Sequence, residues 1–311
     1  MHLECRLQLR RHSHQWVIAM KPAPFDYYAP DSLAEAVALL AKFDDEGVEA
    51  KILAGGQSLM PMLSLRVARP DVLVDLRKLS ALDYIRDEGG TIAIGAMTSK
   101  RAAEESELIR AQQPLFHAAT MNVGHLPIRS QGTVGGSFAN ADPAAEYPAA
   151  AIALDMQMKA VGPDGERVIA ARDFFVTYLT TDLSSTEILT EVRMPVLAAG
   201  TGWSFHEISR RKGDFALAGA AVLLSLSGGR IADSRVVVFG VNATATRLAT
   251  AEQVLRGQAP TEALYREAGL AGAAEVEEPI ADVHASADFR RHLVSVVVAR
   301  GLAEAQPRAR G

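Results

Sequence analysis

Apolar and polar positions along the chain alternate between a helical and an extended period. Leu33, Ala36, Val37 and Leu40 share one face of a 3.6-residue repeat, and Asp31-Ser32 ahead of Glu35 has capping-box spacing. A helix is therefore expected to begin there. Short apolar runs at residues 50–53, 72–76 and 91–96 predict strands. Thr98 is placed to cap a short helix through Glu105, and a second helix is expected from about Leu108 to Asn122, ended by Gly124. Residues 156–160 and 167–170 flank Gly162-Pro163-Asp164-Gly165, whose turn chemistry predicts a hairpin. A strand over 188–194 stops at Pro195, and the small, flexible stretch 198–202 reads as a domain boundary. Beyond it come a strand at 203–209 and a β pair at 218–227 and 235–241 around Gly228-Gly229. Helices follow at 251–256 and 261–270, and a last amphipathic helix carries Phe289, Leu293, Val296 and Val297. The class is α+β.

Length and composition narrow the function. The 311 residues predict two domains, and 49% apolar with 22% charged residues is globular composition. A net charge of −5 argues against a nucleic-acid surface, and no run approaches the roughly 20 apolar residues that span a bilayer. The one cysteine, Cys5, excludes an intrachain disulfide and an iron–sulfur cluster held by this chain alone. Residues 1–19 hold three of the eight histidines and lack an amphipathic period, so they read as an unstructured extension, with the folded protein starting near Met20. The apolar segment behind Arg10-Arg11 is too short for an export signal.

Two glycine pairs stand out. Gly55-Gly56 lies within ILAGGQSLMPML, and Gly135-Gly136 within GTVGGSFANADP. Glycine serves where φ is positive or where backbone must approach something closely. Consecutive backbone N–H groups in such turns form anion-binding concavities, to which Ser and Thr add donors. Two converging turns of this kind would suit a diphosphate; the alternative is a pair of tight turns with a packing role only. The chain has neither G-x-G-x-x-G nor G-x-x-x-x-G-K-[ST], so a dinucleotide site of the Rossmann type and a P-loop are both excluded. A non-Rossmann nucleotide cofactor remains.

LAGGQSLMPML, GHLPIRSQGTVGGSFANADPAAEYPAA and STEILTEVRMP together resemble the FAD-binding (medium) subunit of molybdenum hydroxylases, the flavoprotein of the carbon monoxide dehydrogenase and xanthine dehydrogenase family. The resemblance runs from about Met20 to beyond residue 295. It implies a two-lobed, non-Rossmann FAD-binding domain of the vanillyl-alcohol-oxidase (PCMH) type over 20–197, with subdomains of about 20–77 and 78–197. A C-terminal α+β domain of the carbon monoxide dehydrogenase flavoprotein type would cover 203–305. It also implies that Ile52, Leu53, Ala54, Gly55, Gly56, Gln57, Ser58 and Leu59 wrap the FAD diphosphate. Thr133, Val134, Gly135, Gly136, Ser137 and Asn140 would approach from the other side. Glu146 falls where an acidic residue, Asp in many relatives, binds the adenosine ribose. Ile188, Leu189 and Val123 match apolar positions around the cofactor. The loop 209–215 resembles one beside the flavin ring, with Phe215 at an aromatic position and Arg210, Arg211 or Lys212 able to tune the ring. His206 matches a strand position that is Lys in some relatives.

The function implied is electron transfer through non-covalent FAD in a cytoplasmic oxidoreductase. The molybdenum cofactor would sit on a large partner subunit and [2Fe–2S] clusters on a small one, in a dimer of heterotrimers. No catalytic side chain is expected on this chain, and His117 and His125 read as packing or capping residues. No His, Asp or Glu set has metal-ligand spacing. Two other classes are weighed against this one. A stand-alone flavin oxidase or dehydrogenase would turn over alone, and a non-redox nucleotide-binding or scaffold protein would purify colourless.

Overall fold

The computed structural model describes residues 21–310, so the expected extension at 1–19 lies outside the described residues. The first lobe is a parallel three-stranded sheet, ordered Asp26–Tyr28, Val72–Asp75, Ala50–Leu53. The helix Leu33–Asp45 covers it, burying Ala36, Val37, Leu40 and Phe43. Its cap follows the sequence closely: the Glu35 N–H donates to Ser32 Oγ at 3.2 Å. The Glu35 carboxylate accepts from the N–H of Asp31 rather than that of Ser32, closing the box one residue early.

The second lobe is an antiparallel five-stranded sheet ordered Ile85–Asp87, Thr91–Gly95, Ile188–Pro195, Gln157–Gly162, Gly165–Ala170. The expected hairpin about residues 162–165 is two of these strands. Against the sheet pack helices that include Pro114–Asn122, Val134–Asn140 and Glu146–Ala153, the last two absent from the sequence reading. Two local expectations change. Ser99 caps the helix Lys100–Glu105, because the Thr98 hydroxyl is taken by the backbone of Tyr84. The long helix expected over 108–122 divides at Gln113, since Pro114 has no N–H to continue the ladder and starts a helix of its own.

The C-terminal unit is a four-stranded sheet, Gly202–Ile208, Ala218–Ser227, Arg230–Phe239 and Thr246–Arg247, backed by the helices Ala249–Leu255, Glu262–Glu275 and Ala287–Ala305. Both of its faces are buried. Ala218, Ala220, Val222 and Leu224 point at those helices, while Ala221 and Leu223 join the core of the second lobe with Phe205, Val237 and Phe239. The central strand therefore reads as an unbroken apolar run, AGAAVLLSLS. The last helix buries Leu293 and Val297 as expected, together with Val294, Val298 and Leu302, while Val296 is half-buried and Phe289 is exposed.

Buried Arg290 ties this unit together. Its guanidinium donates to the carbonyls of Leu217 at 2.6 Å and Gly240 at 2.7 Å, and pairs with Asp282 at 2.6 Å. Truncation would strand two buried carbonyls. Arg290→Met should cost about 3 kcal/mol of stability, measurable as a lower urea midpoint.

Candidate functional site

A cleft of about 500 Å³ opens between the two lobes. That size is ordinary for a bound organic cofactor. Its first side is the carboxyl end of the parallel sheet, where strand Ala50–Leu53 runs into residues 54–58 and the helix Leu59–Ser64. Open sheets of this kind place ligands at their strand carboxyl ends. The N–H groups of residues 55, 56, 57, 58 and 59 find no acceptor among the described residues. Gln57 bends back to donate to the Gly55 carbonyl at 3.0 Å, and Gly56 has φ +70°, a conformation glycine adopts without strain. The result is five successive donors without a partner on a stretch that lines the cleft, which suits an anion with several oxygens.

The second glycine pair lines the same cleft but offers it no free backbone donor. Its amides are already committed: Val134 donates to the Thr98 carbonyl at 2.8 Å, Gly135 to the Ala96 carbonyl at 2.9 Å and Gly136 to Thr133 Oγ1 at 3.1 Å. They form the capped start of helix Val134–Asn140 and bolt it to residues 96–98. What this side offers the cleft is the Ser137 hydroxyl and the Asn140 amide, which like Ser58 Oγ have no hydrogen-bond partner among the described residues.

The glycines, moreover, make room for the protein's own backbone. A Cβ on Gly55 would lie 2.2 Å from the Gln131 carbonyl oxygen and 2.7 Å from Gly132 Cα, and one on Gly135 would lie 2.4 Å from Ala96 Cβ. Gly55 therefore closes a seam between the two loops.

The cleft lining includes Ile52, Ala54, Gly55, Gly56, Gln57, Ser58, Leu59, Thr133, Gly135, Gly136, Ser137, Asn140, Ile188 and Leu189. Six expected residues lie off it. Leu53, Val123 and Val134 are core side chains, and the Val123 carbonyl is held by Arg129 at 3.0 Å. Glu146 is buried behind the lining at the start of its helix. His206 faces the last helix and pairs with Glu304. Phe215 is 61% exposed at the end of a loop whose Gly213 rests on the His125 ring. Sequence reasoning missed Lys51, Lys100, Leu179, Thr181, Leu183, Ser184 and Ser185, which also line the cleft. Apart from Ser185, which opens the third motif, no local motif marks them; Lys51 comes from a strand, Lys100 from a helix start, and the rest from the segment 179–185.

Behind the cleft lies a group of buried charges. Desolvation pushes the Glu146 carboxyl up to about 7, with Lys100 pulling it down and Asp142 adding to the rise. Glu207, on the first C-terminal strand, is pushed up to about 8 by desolvation and then by Glu146, and its Oε2 is buried with no partner. Among the described residues no group of His, Cys, Asp and Glu is arranged to hold a metal ion, and no helix is long and apolar enough to cross a membrane.

The chain matches the family described as "FAD binding domain in molybdopterin dehydrogenase" over residues 23–197, and "CO dehydrogenase flavoprotein C-terminal domain" over 203–305. It is 37% identical to the carbon monoxide dehydrogenase medium chain of Hydrogenophaga pseudoflava, over 91% of this chain and 97% of that one. It is 39% identical to subunit alpha of the 6-hydroxypseudooxynicotine dehydrogenase complex of Paenarthrobacter nicotinovorans, over 94% and 97%. The solved carbon monoxide dehydrogenase from Hydrogenophaga pseudoflava, in a form lacking the Mo-pyranopterin moiety, superposes with a TM-score of 0.88 at 38% identity, over 93% of this chain and 99% of that one.

Two outcomes follow from this geometry. Gly55→Ala should lower the stability of the ligand-free chain by about 2 kcal/mol, the usual cost of overpacking, and weaken ligand binding with it. A loss of binding at unchanged ligand-free stability would mean that the glycine instead makes room for ligand. The Glu146 and Glu207 carboxyls have folded pKa values above the 4.5 of a free glutamate, so the folded state holds more protons. Their stabilisation is full below about pH 4.5 and lost as pH rises through 7 and 8. Glu207→Gln should flatten the fall in melting temperature between pH 6 and 9.

Proposed function

This chain belongs to the family of FAD-binding medium subunits of molybdenum hydroxylases, and from that premise we propose that it is the electron-transfer flavoprotein of such a complex. It accepts electrons from a [2Fe–2S] subunit and passes them to a terminal acceptor. The observation that carries the reading is the row of five unpartnered backbone N–H groups on a stretch that lines a cleft of cofactor size.

The residues present fit FAD. The amides of residues 55–59 hold its diphosphate, the Ser58 and Ser137 hydroxyls and the Asn140 amide add donors, and Ile52, Ile188 and Leu189 supply apolar surface. Bound FAD supplies the exchange of one and two electrons that lets a cluster and a two-electron acceptor communicate. The chain contributes binding, orientation and exclusion of water on the apolar side. With one cysteine it cannot hold a cluster itself, which supports placing the clusters on a small partner and the molybdenum cofactor on a large one. A dimer of heterotrimers and a cytoplasmic location complete the proposal, together with domain limits of 20–197 and 203–305. Flavoprotein chains of 37% and 39% identity serve enzymes named for carbon monoxide and for 6-hydroxypseudooxynicotine. Such different substrates for such similar chains support the proposal that the molybdenum subunit chooses the substrate.

The purified chain should show a flavin absorption spectrum and release FAD on heating, close to one per chain. A colourless protein that takes up no FAD would overturn the cofactor assignment. In the assembled complex, removing the flavin should leave the clusters reducible by substrate while abolishing reduction of the terminal acceptor. Continued reduction of the acceptor would overturn the electron-transfer role.

A further inference from the structure

Two cations line the cleft, Lys51 and Lys100. Lys51 is exposed, and water solvates its charge. Lys100 is only 8% exposed, and among the described residues its ammonium makes no hydrogen bond or ion pair. Lysine is almost never buried without a partner, because removing an ammonium from water costs several kcal/mol. The Tyr147 ring lies beside it, with the nitrogen 5.5 Å from the ring centroid. Glu146 attracts it, but burial pushes that carboxyl up to about 7, toward its neutral form, and lowers the Lys100 ammonium as well. The fold thus holds a largely buried ammonium that no described side chain pairs with, and because its nitrogen is not wholly enclosed, it opens onto the cleft that Lys100 lines.

Its position indicates the partner. The side chains of Lys100 and Gln57 flank the same residue: Lys100 Cδ lies 3.6 Å, and Gln57 Cγ 3.5 Å, from where a Cβ on Gly132 would be. Lys100 is fixed there by its own N–H, which donates to the Gly132 carbonyl at 2.8 Å, and by the Ser99 cap. The buried stem therefore runs beside the loop that carries the five free amides. Those amides offer partial positive charge only, whereas a diphosphate brings a full negative one.

We propose that Lys100 is the cationic anchor for the diphosphate of the bound dinucleotide, supplying the full charge that the row of amides lacks. This rests on the FAD reading above and adds to it a residue outside both glycine motifs.

The test compares deflavinated full-length chain and Lys100→Met for binding of FAD, ADP and riboflavin by calorimetry, with ligand-free melting measured alongside. A charge-assisted hydrogen bond is worth roughly a tenfold to hundredfold change in affinity. FAD and ADP should both weaken by about that factor, riboflavin should be unaffected, and K100R should recover part of the loss. The ligand-free variant should melt no lower than the parent, since an uncompensated buried charge has been replaced by an apolar side chain of similar length. Unchanged ADP affinity, equal weakening of FAD and riboflavin, or a lower ligand-free melting temperature would each overturn the proposal. A parent chain that binds neither FAD nor ADP would instead defeat the FAD reading itself.

Discussion

The contact of residue 55 with residues 131–133 is the constraint on which the cleft depends. Two backbone segments meet there at a distance that a single methyl group would forbid. Gly55 lies against the Gln131 carbonyl, and the segment it begins lines the cleft with the N–H groups of residues 55–59 unpartnered among the described residues. Because Gly135 lies against Ala96, the helix Val134–Asn140 can hang its first amides on the carbonyls of residues 96 and 98. One glycine pair frees donors and the other consumes them. The same residue type, in motifs that look alike, serves opposite ends of the hydrogen-bond accounting.

Electrostatics build on that frame. The lining itself is rich in donors, and the charges behind it are expensive to bury. Desolvation raises the carboxyls of Asp142, Glu146 and Glu207 and lowers Lys100, moving each toward its neutral form. A site poised in this way has unspent capacity for an anion, because a ligand charge would favour the protonated lysine while leaving the protonated carboxyls undisturbed. The contribution of Glu207 comes from the C-terminal unit, so the charge balance behind the cleft belongs to both parts of the chain.

That coupling is a consequence of how the C-terminal sheet is used. One face packs its own helices and the other completes the core of the second lobe. Polar ties reinforce the apolar ones: Gly240 donates to the Pro143 carbonyl at 2.8 Å, and Arg235 donates to the Ala153 carbonyl at 3.0 Å. These bonds fall on the two segments that flank Glu146, which is how the sheet reaches the site without lining it.

Much of this was legible in the chain itself. Alternation and turn chemistry located nine of the fourteen strands among the described residues, missing short ones such as Asp26–Tyr28 and Ile85–Asp87; Ser32 and Glu35 announced the first helix, and a lone cysteine ruled out clusters on this chain alone. The three motifs were specific enough to identify the family, and the resemblance led to the residues that meet at the cleft from both lobes. Local signals failed where a competitor won: Pro114 broke a helix, and the Tyr84 backbone took the Thr98 hydroxyl. What only the tertiary structure decided is which amides remain free, which carboxyls lose their water, and where Lys100 points. Each of these depends on atoms distant in sequence, since hydrogen-bond satisfaction and desolvation belong to the packed neighbourhood and leave no mark on a single residue's local pattern.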